Sequence, residues 1–148
     1  MRFQFNDGGR SKYFKGQTSD CVCRSIAIAT GKDYLEVYNT INKLAQDEKI
    51  TKRKKTISHA RTGVHKKTWK DYLKFLGWQY VSCMGIGTGC KVHLKESELP
   101  KGILLVQVSK HLTCVINGVI HDNHDCSRGE KRCVYGYFIK NVFGEKLK

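Results

Sequence analysis

The 148-residue chain is 40% hydrophobic, and its 27 Lys and Arg against 13 Asp and Glu give a formal charge of +14. That size suits one domain with a real core, and a single proline with no visible tandem repeat excludes a collagenous, low-complexity or solenoid chain. No stretch approaches the length of a membrane span, and the opening residues lack the apolar run of a signal peptide, so a cytoplasmic chain without a membrane partner is expected. In that compartment the seven cysteines, Cys21, Cys23, Cys83, Cys90, Cys114, Cys126 and Cys133, are expected to be reduced thiols.

Residues 1–18 are polar with interspersed aromatics and read as an extended lead-in. Ser19 or Asp20 can cap a helix over Cys21 to Thr30, which is apolar almost all round and stops at Gly31. A helix apolar on every side belongs in the middle of a domain. Asp33 and Glu36 are spaced as a capping box for a second helix, in which Tyr34, Val37, Tyr38, Ile41, Leu44 and Ala45 recur at helical period. Lys49 to Lys67 holds eight Lys or Arg, no acid and no clear period, which predicts a basic loop or lid. Trp69 to Leu76 predicts a third helix, ended by Gly77.

The second half reads as strands. Trp78 to Met84 alternates weakly, residues 85–89 form a glycine-rich loop, and Ile103 to Val108 is a short apolar run. Asn117-Gly118 between apolar stretches is a strong hairpin signal, and Val134 to Phe143 supplies a last strand region. Helices followed by an antiparallel sheet make an α+β pattern in one domain.

Cys21 opens the buried helix, where free amide N–H groups and the helix dipole favour a thiolate. A nucleophile needs a base and a group to orient that base. With a two-residue turn at Asn117-Gly118, His111, Thr113, Asp122 and His124 project from one face of the hairpin, and Asp122 is a diagonal neighbour of His111. A longer loop or a bulge would instead bring Asn123 or His124 to that place.

These residues resemble the papain-like cysteine peptidases, most nearly the small bacterial and phage members and the leader-cleaving peptidases of bacteriocin export. The stretches 20–32 and 111–122, with Val134-Tyr-Gly-Tyr-Phe138, carry the likeness, while residues 46–101 lie outside it. The resemblance implies an α+β fold with the nucleophile on a central helix, Cys21 as nucleophile, His111 as base and acid, and Asp122 as orienter. It also implies that Gln17 donates to the oxyanion with the Cys21 N–H, and that no cofactor is needed. Gln17 stands closer to the cysteine than the papain pattern places its glutamine, and Val22 replaces the glycine that follows the cysteine in the leader peptidases. A protein or peptide substrate in the cytoplasm, or in a host's cytoplasm for a phage protein, follows from the same likeness. Deamidases, amidases, transglutaminases and isopeptidases share the thioester chemistry.

Two other classes use the same residues. Cys126, Cys133, His121 and His124 make a loose metal-ligand set whose spacing matches no tight zinc pattern. A catalytically silent binding domain would use Lys52, Arg53, Lys54 and Lys55, with Lys66, Lys67 and Trp69, on nucleic acid or an acidic protein. The basic segment lies between the helical half and the strands, a position from which it can overhang a cleft. Oligomeric state has no signature in the sequence.

Overall fold

The structure, a computed structural model, describes residues 1–140; the expected continuation of the last strand to Phe143 lies outside the described residues. The described part is mixed α+β, with three α-helices packed on one face of a six-stranded sheet. No helix among the described residues is long and apolar enough to cross a membrane.

The helices form α1 (Cys21–Thr30), α2 (Tyr34–Ala45) and α3 (Lys66–Phe75). Helix α1 carries the apolar residues that the sequence places there, with Val22, Cys23, Ile26, Ala27 and Ala29 all buried, and ends at Gly31 in the left-handed conformation. The caps differ from expectation. Asp20 occupies the position before α1 and Asp33 that before α2, yet neither side chain accepts a backbone N–H of its helix. Asp33 accepts the Tyr13 hydroxyl at 2.6 Å and Glu36 takes Lys32 at 3.2 Å, so the capping box does not form. Helix α3 begins at Lys66, three residues before the expected start.

The strands are β1 (Arg2–Phe5), β2 (Trp78–Ser82), β3 (Ile103–Val108), β4 (His111–Ile116), β5 (Val119–Asp122) and β6 (Val134–Lys140), in sheet order β1-β5-β4-β3-β6-β2. The sheet is mixed and so departs from the expected antiparallel arrangement: β1, from the stretch expected to be a lead-in, runs parallel to β5. The other pairings are antiparallel. Asn117 and Gly118 sit at φ 47° and 79°, the doubly left-handed turn that suits the sheet's twist. The hairpin register is therefore the expected one, with Ile116 opposite Val119 and Cys114 opposite His121.

The faces divide the core. Leu105, Leu112, Cys114 and Phe138 meet Ile26, Val37, Ile41, Trp69 and Leu73 of the helices. On the other face, Leu104, Val106, Val115, Ile120 and Val134 pack under Leu94 and Cys126 from the connecting loops. Full burial of each such aliphatic side chain contributes about 2 kcal/mol.

Cys90 and Cys133 form a disulfide, which corrects the expectation of seven thiols. A β-bridge between His93 and Cys133 lays the loop against the start of β6 and brings the two Cα atoms to 5.8 Å. That loss also removes Cys133 from the loose metal-ligand set.

Candidate active site

Cys21 stands at the first position of α1, partly buried. Because no side chain caps α1, the amides of its first turn have no side-chain acceptor. His111 is the first residue of β4, directly after the tight turn Ser109-Lys110 that joins it to β3. Arg132 holds that turn by donating to the Ser109 carbonyl, and reaches the Cys126 carbonyl at 3.4 Å. Asp122 ends β5, and the Asn6 N–H donates to its carbonyl at 2.8 Å to continue the β1 pairing.

The hairpin and α1 bring these three residues together. His111 Nε2 lies 2.7 Å from Asp122 Oδ2, and with that nitrogen occupied Nδ1 is the one available to the Cys21 thiol, which borders the same cleft as His111 and Leu112. Burial alone would raise the Cys21 pKa; the hydrogen bond and charge of His111 outweigh it and hold the thiol below its ordinary 9.0. Burial likewise opposes charge on His111, but its bonds to Asp122, Cys126 and Cys21 raise it to about 11. The two shifts run in the directions that favour charge on both Cys21 and His111, beside the Asp122 carboxylate.

Asp122 is 4% exposed and well supplied with donors. Its Oδ2 also accepts the Thr113 hydroxyl at 2.7 Å and faces the Cys126 thiol at 3.8 Å, while Oδ1 accepts the Asn123 N–H at 2.7 Å. Burial would raise its pKa, but His111, Thr113 and Asn123 together lower it. His124 is exposed and sits 3.9 Å from Asp122 Oδ1, on the outside of the pair, with its Nδ1 turned to Asn123 at 2.6 Å. Of the three alternatives for the group against His111, Asp122 therefore occupies the place.

A second layer was not legible beforehand. Arg24, one turn into α1 and 4% exposed, donates to Asp20 Oδ1 at 3.0 Å and lies 3.6 Å from Asp122 Oδ1. Asp20 is held in turn by the Tyr34 hydroxyl at 2.6 Å and Arg10 at 3.3 Å. Arg10, Asp20, Arg24 and Asp122 thus form a row of alternating sign that ends against His111. This network takes the Asp20 carboxylate away from the helix end, which is the physical reason the expected cap fails. The i, i+4 spacing of Asp20 and Arg24 was the available signal.

Around Cys21 and His111 lies a cleft of about 250 Å³, bordered by Val22, Trp69, Gln107 and Leu112, with Thr62, Gly63 and Val64 opposite. Gln17 is exposed, lies outside this lining and makes no side-chain hydrogen bond among the described residues. The glutamine in the cleft is Gln107, 5% exposed, whose Oε1 accepts the Tyr80 hydroxyl at 3.1 Å. Its Nε2 has no partner among the described residues and is left for a group in the cleft. Sequence reading missed it because a glutamine in an apolar strand carries no motif.

The basic segment splits in two. Lys52, Arg53, Lys54 and Lys55 are exposed and do not border the cleft; the later Thr62 to Val64 and Lys66 do. His111, Asp122 and Cys126 have ligand atoms within 4.8 Å of one another, yet Asp122 and Cys126 are buried, and Asp122 Oδ2 is already bonded to His111 and faced by the Cys126 thiol. His121, of the loose metal set, instead meets Asn6 at 3.4 Å. No protein-family model, curated protein or solved structure matches the chain.

Proposed function

We propose that this chain is a papain-like, cysteine-dependent acyl-transfer hydrolase of the peptidase or isopeptidase kind, working through Cys21, His111 and Asp122. The observation that carries the reading is the His111–Asp122 contact of 2.7 Å behind a thiol at a helix N-terminus. The Cys21 thiolate attacks the carbonyl carbon; a C–S bond forms and the carbonyl π pair moves to oxygen. In this scheme the Cys21 N–H and the amide of Gln107, which borders the same cleft, donate to that oxygen. Collapse breaks the C–N bond, and the amine leaves with the proton of the His111 imidazolium. Water then attacks the thioester, gives a proton to His111, and releases the acid with the thiolate restored. Asp122 stays ionised throughout and holds the ring. Gln17 has no part in this scheme.

The other free cysteines supply an internal control. Burial drives Cys23 and Cys114 up to about 12 and also raises Cys83, while Cys126 is buried. An electrophilic thiol probe at limiting concentration is therefore expected to label Cys21 first. Cys21→Ala should remove that labelling and all acyl transfer while the circular dichroism spectrum is unchanged. Even labelling across the free cysteines, or turnover by Cys21→Ala, would return the chain to the class of silent binding domains.

A further inference from the structure

A groove of about 770 Å³, roomier than the cysteine cleft, lies between α2 and α3 and is closed at one side by the basic loop. The groove and the cleft share no lining residue: α3 separates them, turning Lys66 and Trp69 to the cleft and Thr68, Asp71, Tyr72 and Phe75 to the groove. The loop borders both, with Lys49 to Lys54 on the groove and Thr62 to Val64 on the cleft.

Two features of the groove have no counterpart within this chain. Phe75 is 87% exposed, beside Leu44 and Tyr72, which reach the groove from the edge of the core. Beside them Lys49, Arg53 and Lys54 have no acidic partner among the described residues. Of the three acids in the groove, Asp71 pairs with Lys67 at 2.6 Å, Glu48 accepts the Ser58 and Thr68 hydroxyls and the Ser58 N–H, and Asp47 alone stands against the three unpaired cations. The Glu48 contacts also tie the loop to α3, so the groove is already formed before anything enters it.

We propose that this groove docks an acidic, amphipathic helical segment of the protein substrate, and so recruits it at a distance from Cys21. The substrate assignment rests on the hydrolase reading; the docking itself does not. A helix laid between two helices buries an apolar stripe against Leu44, Tyr72 and Phe75, and its flanking Glu or Asp meet Lys49, Arg53 and Lys54. Nucleic acid would pair with the charges and leave the apolar floor uncovered.

The test uses the full chain and a fluorescein-labelled peptide of about 18 residues with Leu at helical spacing and Glu elsewhere. A scrambled peptide of the same composition and a single-stranded DNA oligonucleotide serve as comparisons. The patterned peptide should bind best, weakening as salt rises from about 50 to 500 mM. Phe75→Ser and the pair Arg53→Glu with Lys54→Glu should each weaken it by about tenfold, with Cys21 labelling unchanged. Both sites are exposed, so the fold should survive, as circular dichroism would verify. Equal binding of the scrambled peptide, or tighter binding of DNA indifferent to Phe75→Ser, would overturn the proposal. Patterned docking to a chain whose Cys21 is not preferentially labelled would keep the docking site and overturn the substrate assignment alone.

Discussion

Asp122 takes hydrogen bonds from His111, Thr113 and Asn123 while almost fully buried, and the direction of every titration at the site follows from that. Its own folded pKa lies below the ordinary 3.8, so it adds stability above that pH and loses it as acid protonates the folded carboxyl. His111 is shifted the other way, to about 11; its contribution is complete below the ordinary 6.5 and drains away as pH rises toward 11. Between these limits Cys21 faces a cation, so its alkylation rate should reach a plateau at a pH below the 9.0 of an ordinary thiol. Asp122→Asn removes the charge that keeps His111 protonated, and the inflection should then move up toward 9.0. Iodoacetamide kinetics across pH on both forms would check this. An inflection near 9.0 in the parent would contradict the ion pair.

At the scale of elements, Gly136 in β6 has a role its sequence context hides. The Tyr80 ring crosses over β6 to reach Gln107 on β3, and a Cβ at position 136 would overlap the phenol. Gly136→Ala should therefore cost about 1–3 kcal/mol by overpacking, read as a lower midpoint in urea. Tyr80→Phe keeps the ring and frees the Gln107 amide, so it should lower acyl turnover with Cys21 labelling and stability nearly unchanged. Loss of labelling in Tyr80→Phe would mean that Tyr80 supports the cysteine itself. Elements specified by near neighbours were legible in the sequence: α1 from its all-round apolar composition, and the β4–β5 hairpin, with Asp122 beside His111, from one Asn-Gly pair. Features fixed by distant partners were not. Asp20 is drawn off its helix by Arg10 and Tyr34, α3 gains an extra polar turn tied to Glu48, and Tyr80 meets Gln107 across an intervening strand.

Across the whole molecule, the least legible element is also the one that braces the site. β1 is only four residues long and all four are exposed, so the alternation of Phe3 and Phe5 with Arg2 and Gln4 is brief and buries no face against the core. Its partner is β5, and the Asn6 side chain that follows β1 meets His121 from 115 residues away. The strand made first during synthesis thus cannot be paired until β5 has emerged. Closing so long a loop defers its entropic cost to the end of folding, and parallel pairing over such a span is slow. Helical signal should accordingly recover before Cys21 reactivity when the denatured chain is diluted into buffer, and pulse labelling with a thiol reagent would resolve the two. Simultaneous recovery would show that β1 docks early. A late-closing strand next to Asp122 makes this arrangement a marker of completed folding: a chain still being made holds Cys21 before His111 and Asp122 exist to face it, and β1 takes its place beside them last.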